Sequence, residues 1–196
     1  MSAPFLVPLD IPVPDSIPDR MIIMAESEAG QTDSRYFNGY AGSWCHRFSD
    51  WLTMHAGMLR DMLPNTSNCG SGVIWFVSDP HRGGFFFKNA AHKKRMWKKY
   101  GAIRRLPENL TTEEIMYVPQ IGDYIYFRWK NARDTVTVSH VGIVLTGEKG
   151  IIGTIEGNSG RKVTKRSYYL EDMRIAGFGY PKYDVIINEE KAIQID

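Results

Sequence analysis

The sequence predicts an α+β fold, on three observations. Residues 43–63 repeat apolar side chains at helical spacing, a series of short β-rich runs begins at Ile121, and no strand-helix-strand alternation separates the two regions. Helices first and strands later give helices packed on an antiparallel sheet, here of about five to six strands, rather than a doubly wound parallel one. The 196 residues fit one domain of the usual roughly 100–200 residues. With 43% hydrophobic, 12% aromatic and 23% charged residues, disordered, collagenous and coiled-coil classes are excluded.

Each element follows from local chemistry. Five of the ten prolines stand at positions 4, 8, 12, 14 and 18, so residues 1–19 read as an extended, polyproline-like arm. The arm has no basic start followed by an apolar run, and no stretch approaches the roughly 20 apolar residues of a membrane span. Neither a signal peptide nor a membrane span is therefore expected, and synthesis is expected in the cytoplasm. A short helix is predicted over 16–29, with Pro18 early and Gly30 as its stop. The main helix is predicted over 43–63, from the stripe Phe48, Trp51, Leu52, Ala56, Leu59, Met62 and Leu63, with Ser43 as N-cap and Pro64-Asn65 as terminator. Strands are predicted over 123–129, 135–145, 151–158 and 163–169, and 184–196 is a C-terminal tail.

The formal charge of +2 conceals an asymmetry. Residues 80–107 carry nine Lys and Arg and no acid, so +9 there leaves −7 for the rest. A solvated helical face is the plain reading of this basic insertion, and a dock for a polyanion such as an anionic wall polymer is the functional one. The small net charge makes nucleic acid an unfavoured partner.

Cys45 and Cys69 are too few for a disulfide framework and form no Cys-x-x-Cys pair, so both are expected to be free. Cys45 falls in the first turn of the main predicted helix, where unpaired N–H groups and the helix dipole favour a thiolate. Among His46, His55, His81, His92 and His140, only His140 opens a clear strand, in Val138-Ser139-His140-Val141-Gly142-Ile143-Val144. In Thr154-Ile155-Glu156-Gly157-Asn158, Glu156 and Asn158 lie two apart and share one face of a strand. A carboxylate there can orient a histidine, and an amide can donate to an oxyanion.

Those residues resemble, in order, the CHAP (cysteine, histidine-dependent amidohydrolase/peptidase) family of peptidoglycan hydrolases. The resemblance runs through Trp44-Cys45, the helix 48–57, Pro119-Gln120-Ile121-Gly122-Asp123-Tyr124, Ser139-His140-Val141-Gly142, Glu156-Gly157-Asn158 and Gly177-Phe178-Gly179-Tyr180-Pro181, and covers residues 20–183. It implies a papain-like fold and a cell-wall amidase or endopeptidase, such as a phage lysin. Cys45 would be nucleophile, His140 base and then acid, Glu156 its orienting group and Asn158 an accessory polar residue. Trp44 and Ser139, beside these, are the expected substrate-binding residues, and peptidoglycan is the expected partner. No metal or other cofactor is expected; calcium is admitted by analogy with some members, without an Asp-x-Asp-x-Asp loop. The chain departs from the family pattern at His46, where a small residue is usual, and at Ile121, which replaces a frequent proline.

Three other readings compete. His46, Asp50 and His55 on one helix have the spacing of metal ligands. The basic segment alone would make an inert polyanion-binding module. The order Cys, His, polar residue also recurs among unrelated papain-like cysteine protease effectors.

Overall fold

Among the described residues, alternate side chains of one antiparallel sheet feed two apolar clusters, and helices cover the larger of them. The structure is a computed structural model that describes residues 16–32, 36, 42–78, 85–88, 117–130, 136–148 and 150–183. Residues 1–15 of the proline arm, most of the basic insertion 80–107 and the tail 184–196 lie outside the described residues.

Among the described residues, helix α1 spans Ile17–Glu28, α2 Cys45–His55 and α3 Cys69–Ser78, and Arg60–Met62 make a 3₁₀ turn. The strands are β1 Phe85–Lys88, β2 Tyr124–Lys130, β3 Val136–Glu148, β4 Ile151–Glu156, β5 Thr164–Tyr169 and β6 Ile175–Tyr180. They form one six-stranded sheet in the order β1-β6-β2-β3-β4-β5, with every neighbouring pair antiparallel. The α+β architecture of helices on an antiparallel sheet is thus as the sequence predicts.

Ser16 accepts a hydrogen bond from Asp19 N–H and caps α1, so the last four positions of the expected arm belong to this helix and its cap. Gly30, at φ +87°, follows its end. The main helix is shorter than predicted. Gly57 at φ +117° turns the chain out of helical geometry, and the amides of Gly57 and Met58 close back on Met54 and Thr53 carbonyls. Beyond that point the apolar stripe breaks: Leu63 is buried, but Leu59 is 51% exposed.

The larger cluster joins Met21 and Ala25 of α1, Phe48 and Leu52 of α2 and Phe76 of α3 to Tyr124, Tyr126, Val141, Ile143 and Ile155 of the sheet. Ile125, Phe127, Val144, Ile152, Tyr168, Ile175 and Phe178 form the smaller one. In β2, Tyr124/Tyr126 and Ile125/Phe127 divide between the two clusters as strand periodicity requires. The strand β1, inside the basic insertion, comes from the aromatic run Phe85-Phe86-Phe87 pairing with β6, and Phe86 lies 5.9 Å from the Tyr126 ring.

Candidate active site

Residues from four elements meet at the start of α2. Cys45 is its first helical residue, with Trp44 as N-cap. Ser43 does not cap the helix, contrary to the sequence expectation; its Oγ lies 3.4 Å from Cys45 Sγ and accepts from the Asn158 amide at 3.4 Å. His140 comes from β3 and Glu156 from the end of β4, and His140 Nε2 is 2.8 Å from Glu156 Oε2. This bond leaves Nδ1 as the nitrogen available to the Cys45 thiol.

A bulge helps to aim His140. On β3, Phe127 of β2 pairs with His140 and Arg128 with Val138, so Ser139 has no partner opposite. Such an extra residue bends its strand and re-aims the neighbouring side chain. The His140 ring rests 5.8 Å from Phe127, whose ring packs on Tyr168.

Glu156 is 1% exposed, and its other oxygen, Oε1, accepts from the hydroxyls of Thr154 and Tyr168, both at 2.8 Å. Burial alone would raise its pKa, but the His140, Thr154 and Tyr168 hydrogen bonds outweigh it and the pKa is lowered. Gly142 makes room for this carboxylate, since a Cβ there would stand 2.6 Å from Glu156 Cγ. Asn158 does not share a strand face with Glu156, as the sequence suggested. The strand ends at Glu156, and Asn158 sits in the following turn at φ +59°, where its amide reaches Ser43.

Cys45 is 1% exposed. Apolar burial makes a thiol inert by raising its pKa, but this sulfur has polar neighbours. The hydrogen-bonded contact with the Cys69 sulfur, 3.5 Å away, is the largest influence lowering the pKa; burial opposes it, and His140 and Ser43 lower it further. The result is a pKa well below the thiol range. Burial disfavours charge on His140, but its hydrogen bonds to Cys45 and Glu156 and their negative charges prevail, raising its pKa to about 9. The favoured state at neutral pH is a thiolate beside an imidazolium, with a carboxylate behind it, an arrangement able to attack a carbonyl and protonate a leaving group.

A polar groove of about 690 Å³ begins beside this centre, bounded by Ser43, Ser139, His140 and Asn158 and running towards Arg166 and Arg174. Ser139 therefore lies on the groove wall. Trp44 does not: it is 3% exposed, stacks on Tyr36 at 5.3 Å and packs edge-on to Phe48, so the indole is core rather than a sugar platform.

The departure at His46 has a structural explanation. Its ring is fully buried, with Nδ1 3.2 Å from Asp50 Oδ2 and Nε2 2.9 Å from Tyr126 Oη. Tyr124 donates to the other Asp50 oxygen at 3.0 Å. Burial disfavours charge on His46, but Asp50 outweighs it and raises the pKa. The ring fits because position 72 is glycine; a Cβ there would stand 2.0 Å from Nε2. Both ring nitrogens are thus engaged. His55 turns instead to the Trp51 carbonyl and stacks on that indole, so His46, Asp50 and His55 do not converge as a ligand set. Among the described residues no group of three His, Cys, Asp or Glu side chains is placed to hold a metal.

The sequence did not single out Cys69, Thr154, Tyr168 or the groove arginines as parts of this site. Thr154 was legible, two residues before Glu156 and on the same face. Tyr168 was not, because only the β4–β5 register, with Ile152 opposite Tyr168, brings it to the carboxylate.

No protein-family model and no curated protein matches the chain. Two solved structures are similar to it. NlpC2 from Trichomonas vaginalis has a TM-score of 0.43 at 13% identity, over 89% of this chain and 48% of that one. The crystal structure of Ly7917 has a TM-score of 0.42 at 17% identity, over 84% of this chain and 62% of that one. The chain thus spans less than two thirds of the length of either.

Proposed function

We propose that this chain is a papain-like cysteine amidohydrolase or peptidase that cleaves an amide bond of bacterial peptidoglycan, in the manner of the CHAP hydrolases its motifs resemble. The observation that carries the reading is the meeting of Cys45, His140 and Glu156: His140 is bonded to Glu156 at 2.8 Å, and beside it Cys45 has a lowered thiol pKa, while the His140 pKa is raised. The Cys45 thiolate attacks the carbonyl carbon, forming a C–S bond. The C–N bond then breaks as the His140 imidazolium gives its proton to the departing amine. Water, deprotonated by the now neutral His140, releases the acyl group from sulfur. The Cys45 backbone N–H and the Asn158 amide are the donors assigned to the oxyanion.

The bond is either the one joining sugar to stem peptide or a peptide bond of the stem or cross-bridge. A phage or phage-like lysin is the setting this activity fits. The nine-cation segment 80–107 is assigned to anionic wall polymers, for which wall retention that weakens with salt is the check.

The test is digestion of defined walls with mass spectrometry of the new termini, which also decides between amidase and endopeptidase. Cys45→Ala and His140→Ala are expected to abolish cleavage, and Glu156→Gln to leave a weak residual rate. Wild-type turnover by purified Cys45→Ala, or no new termini from any wall preparation with the wild-type protein, would overturn the reading.

A further inference from the structure

We propose that Cys69 is a positioning residue for Cys45: its thiol donates a hydrogen bond to the Cys45 sulfur and holds that sulfur as the thiolate facing His140. The inference rests on the reading of Cys45 as nucleophile and assigns a role to the second of only two cysteines in the chain.

The geometry is specific. The sulfur atoms are 3.5 Å apart, and Cys45 and Cys69 are 1% and 6% exposed. That separation suits an S–H···S contact as it stands, whereas a covalent S–S bond of about 2.05 Å would require the sulfurs to move closer together. Cys69 is the first residue of α3, and the close seating of that helix depends on Gly72, whose position a Cβ could not share with His46 Nε2 or Tyr126 Oη. The helix is thereby seated with its first side chain on the nucleophile.

The surroundings also decide which sulfur keeps the proton. Cys45 is faced by His140 of β3, with Glu156 behind that ring, by Ser43 from its own approach segment, and by the His46 imidazole on its own helix. Cys69 feels the negative charges of Cys45 and Asp50, while Tyr126 of β2, close to both, stays neutral because burial disfavours its ionisation. The hydrogen bond to Cys45 and burial both push the Cys69 thiol upward. A buried thiolate needs donors to replace the water it has lost, and a charge-assisted hydrogen bond supplies one.

Donation has a kinetic signature that packing alone lacks. A thiolate of lower pKa is more populated but intrinsically less nucleophilic. Removing the donor should therefore depress cleavage on the acid side and spare or raise it on the alkaline side.

The experiment is a pH titration of ultraviolet thiolate absorbance on the folded wild type, Cys69→Ala, Cys69→Ser and Cys45→Ala. The wild type should ionise one thiol well below the ordinary value of about 8.5 and keep the second protonated. In Cys69→Ala the remaining midpoint should rise by about one pH unit or more, roughly a tenfold loss of thiolate at a given acid pH. Cys69→Ser, which keeps a hydroxyl donor, should stay nearer the wild type. In Cys45→Ala the Cys69 midpoint should fall, since coupled groups shift each other reciprocally; that result stands even where Cys69→Ala does not fold. Coincidence of Cys69→Ala with the wild type, coincidence of Ser with Ala, or an unmoved Cys69 midpoint in Cys45→Ala would each overturn the proposal. Failure of the nucleophile reading looks different: the wild type would then show no early thiolate at all.

Discussion

At the scale of single residues, the site depends on opposite shifts in two neighbouring groups. Cys45 loses its proton below the usual thiol range and His140 keeps its own up to about 9. Between those limits the thiolate–imidazolium pair persists, so the proposed cleavage should rise through an acid limb and fall as pH passes about 9, where His140 loses the proton that the proposal assigns to the leaving group. Glu156→Gln removes one of the two charges that hold His140 protonated, leaving burial to act against it. The alkaline limb should then move down towards the ordinary histidine value of about 6.5, and cleavage at neutral pH should drop by roughly a hundredfold or more. The pH–rate profile of wall hydrolysis checks this, and an alkaline limb that stays in place would rule out Glu156 as the supporting charge. Cys45, His140 and Glu156 were legible because each carries a chemistry few residues share, in an order that the resemblance fixes. Cys69 was not, because nothing in Asn68-Cys69-Gly70-Ser71-Gly72 shows where α3 is seated.

At the scale of elements, the site is held by close approaches between helices and sheet. A Cβ on Gly157 would stand 2.4 Å from Phe48 Cβ and 2.9 Å from the Trp44 ring, both buried and unable to yield. Gly157→Ala should therefore push α2, which carries Cys45, away from the end of β4, which carries Glu156. Overpacking of this kind costs about 1–3 kcal/mol, or about 2–4 °C of melting temperature per kcal/mol in a chain of this size, and with Cys45 displaced most of the proposed cleavage should be lost. Gly150 is the control: its φ is +79° but a Cβ there meets nothing within 4 Å, so Gly150→Ala should cost only backbone strain and leave cleavage intact. Equal melting temperatures and equal rates in the two variants would show that the approach does not matter. The four predicted strands correspond to β2–β5 because period-2 runs of β-branched and aromatic residues have few alternative uses. The helix α3 was illegible because two glycines in its first four residues oppose helix formation, and its position rests on Phe76 packing against Tyr124 and Tyr126. Strands β1 and β6 were missed for related reasons: one is four residues long within a basic run, and the other carries Gly177 and Gly179.

At the scale of the whole molecule, helices before strands fixed the class, and the charge asymmetry was plain from composition, but the protonation balance of the interior was visible only after folding. Asp123 illustrates it. The sequence places it at the start of the predicted strand 123–129; in the structure it is fully buried, accepts from Tyr117 Oη at 2.5 Å and Gln120 N–H at 2.8 Å on Oδ2, and leaves Oδ1 without a hydrogen-bond partner among the described residues. Burial outweighs those two donors and raises its pKa from 3.8 to about 7. Between these values the folded chain holds a proton that the unfolded chain has released, so this group's contribution to stability is complete below 3.8 and is lost as pH rises through about 7. Asp123→Asn stays neutral throughout and keeps an acceptor for both donors. The wild type should therefore lose stability relative to the Asn variant as pH rises from about 4 to about 7.5, by an amount on the order of a few kcal/mol and hence several degrees of melting temperature. Other titrating groups, Cys45, His46, His140 and Glu156 among them, are common to both proteins and largely cancel in the difference. Melting curves of the pair at a series of pH values decide the matter: a constant offset would mean that Asp123 is ionised in the folded chain across this range, and an offset growing in the opposite sense would mean that its carboxylate is the stabilised form.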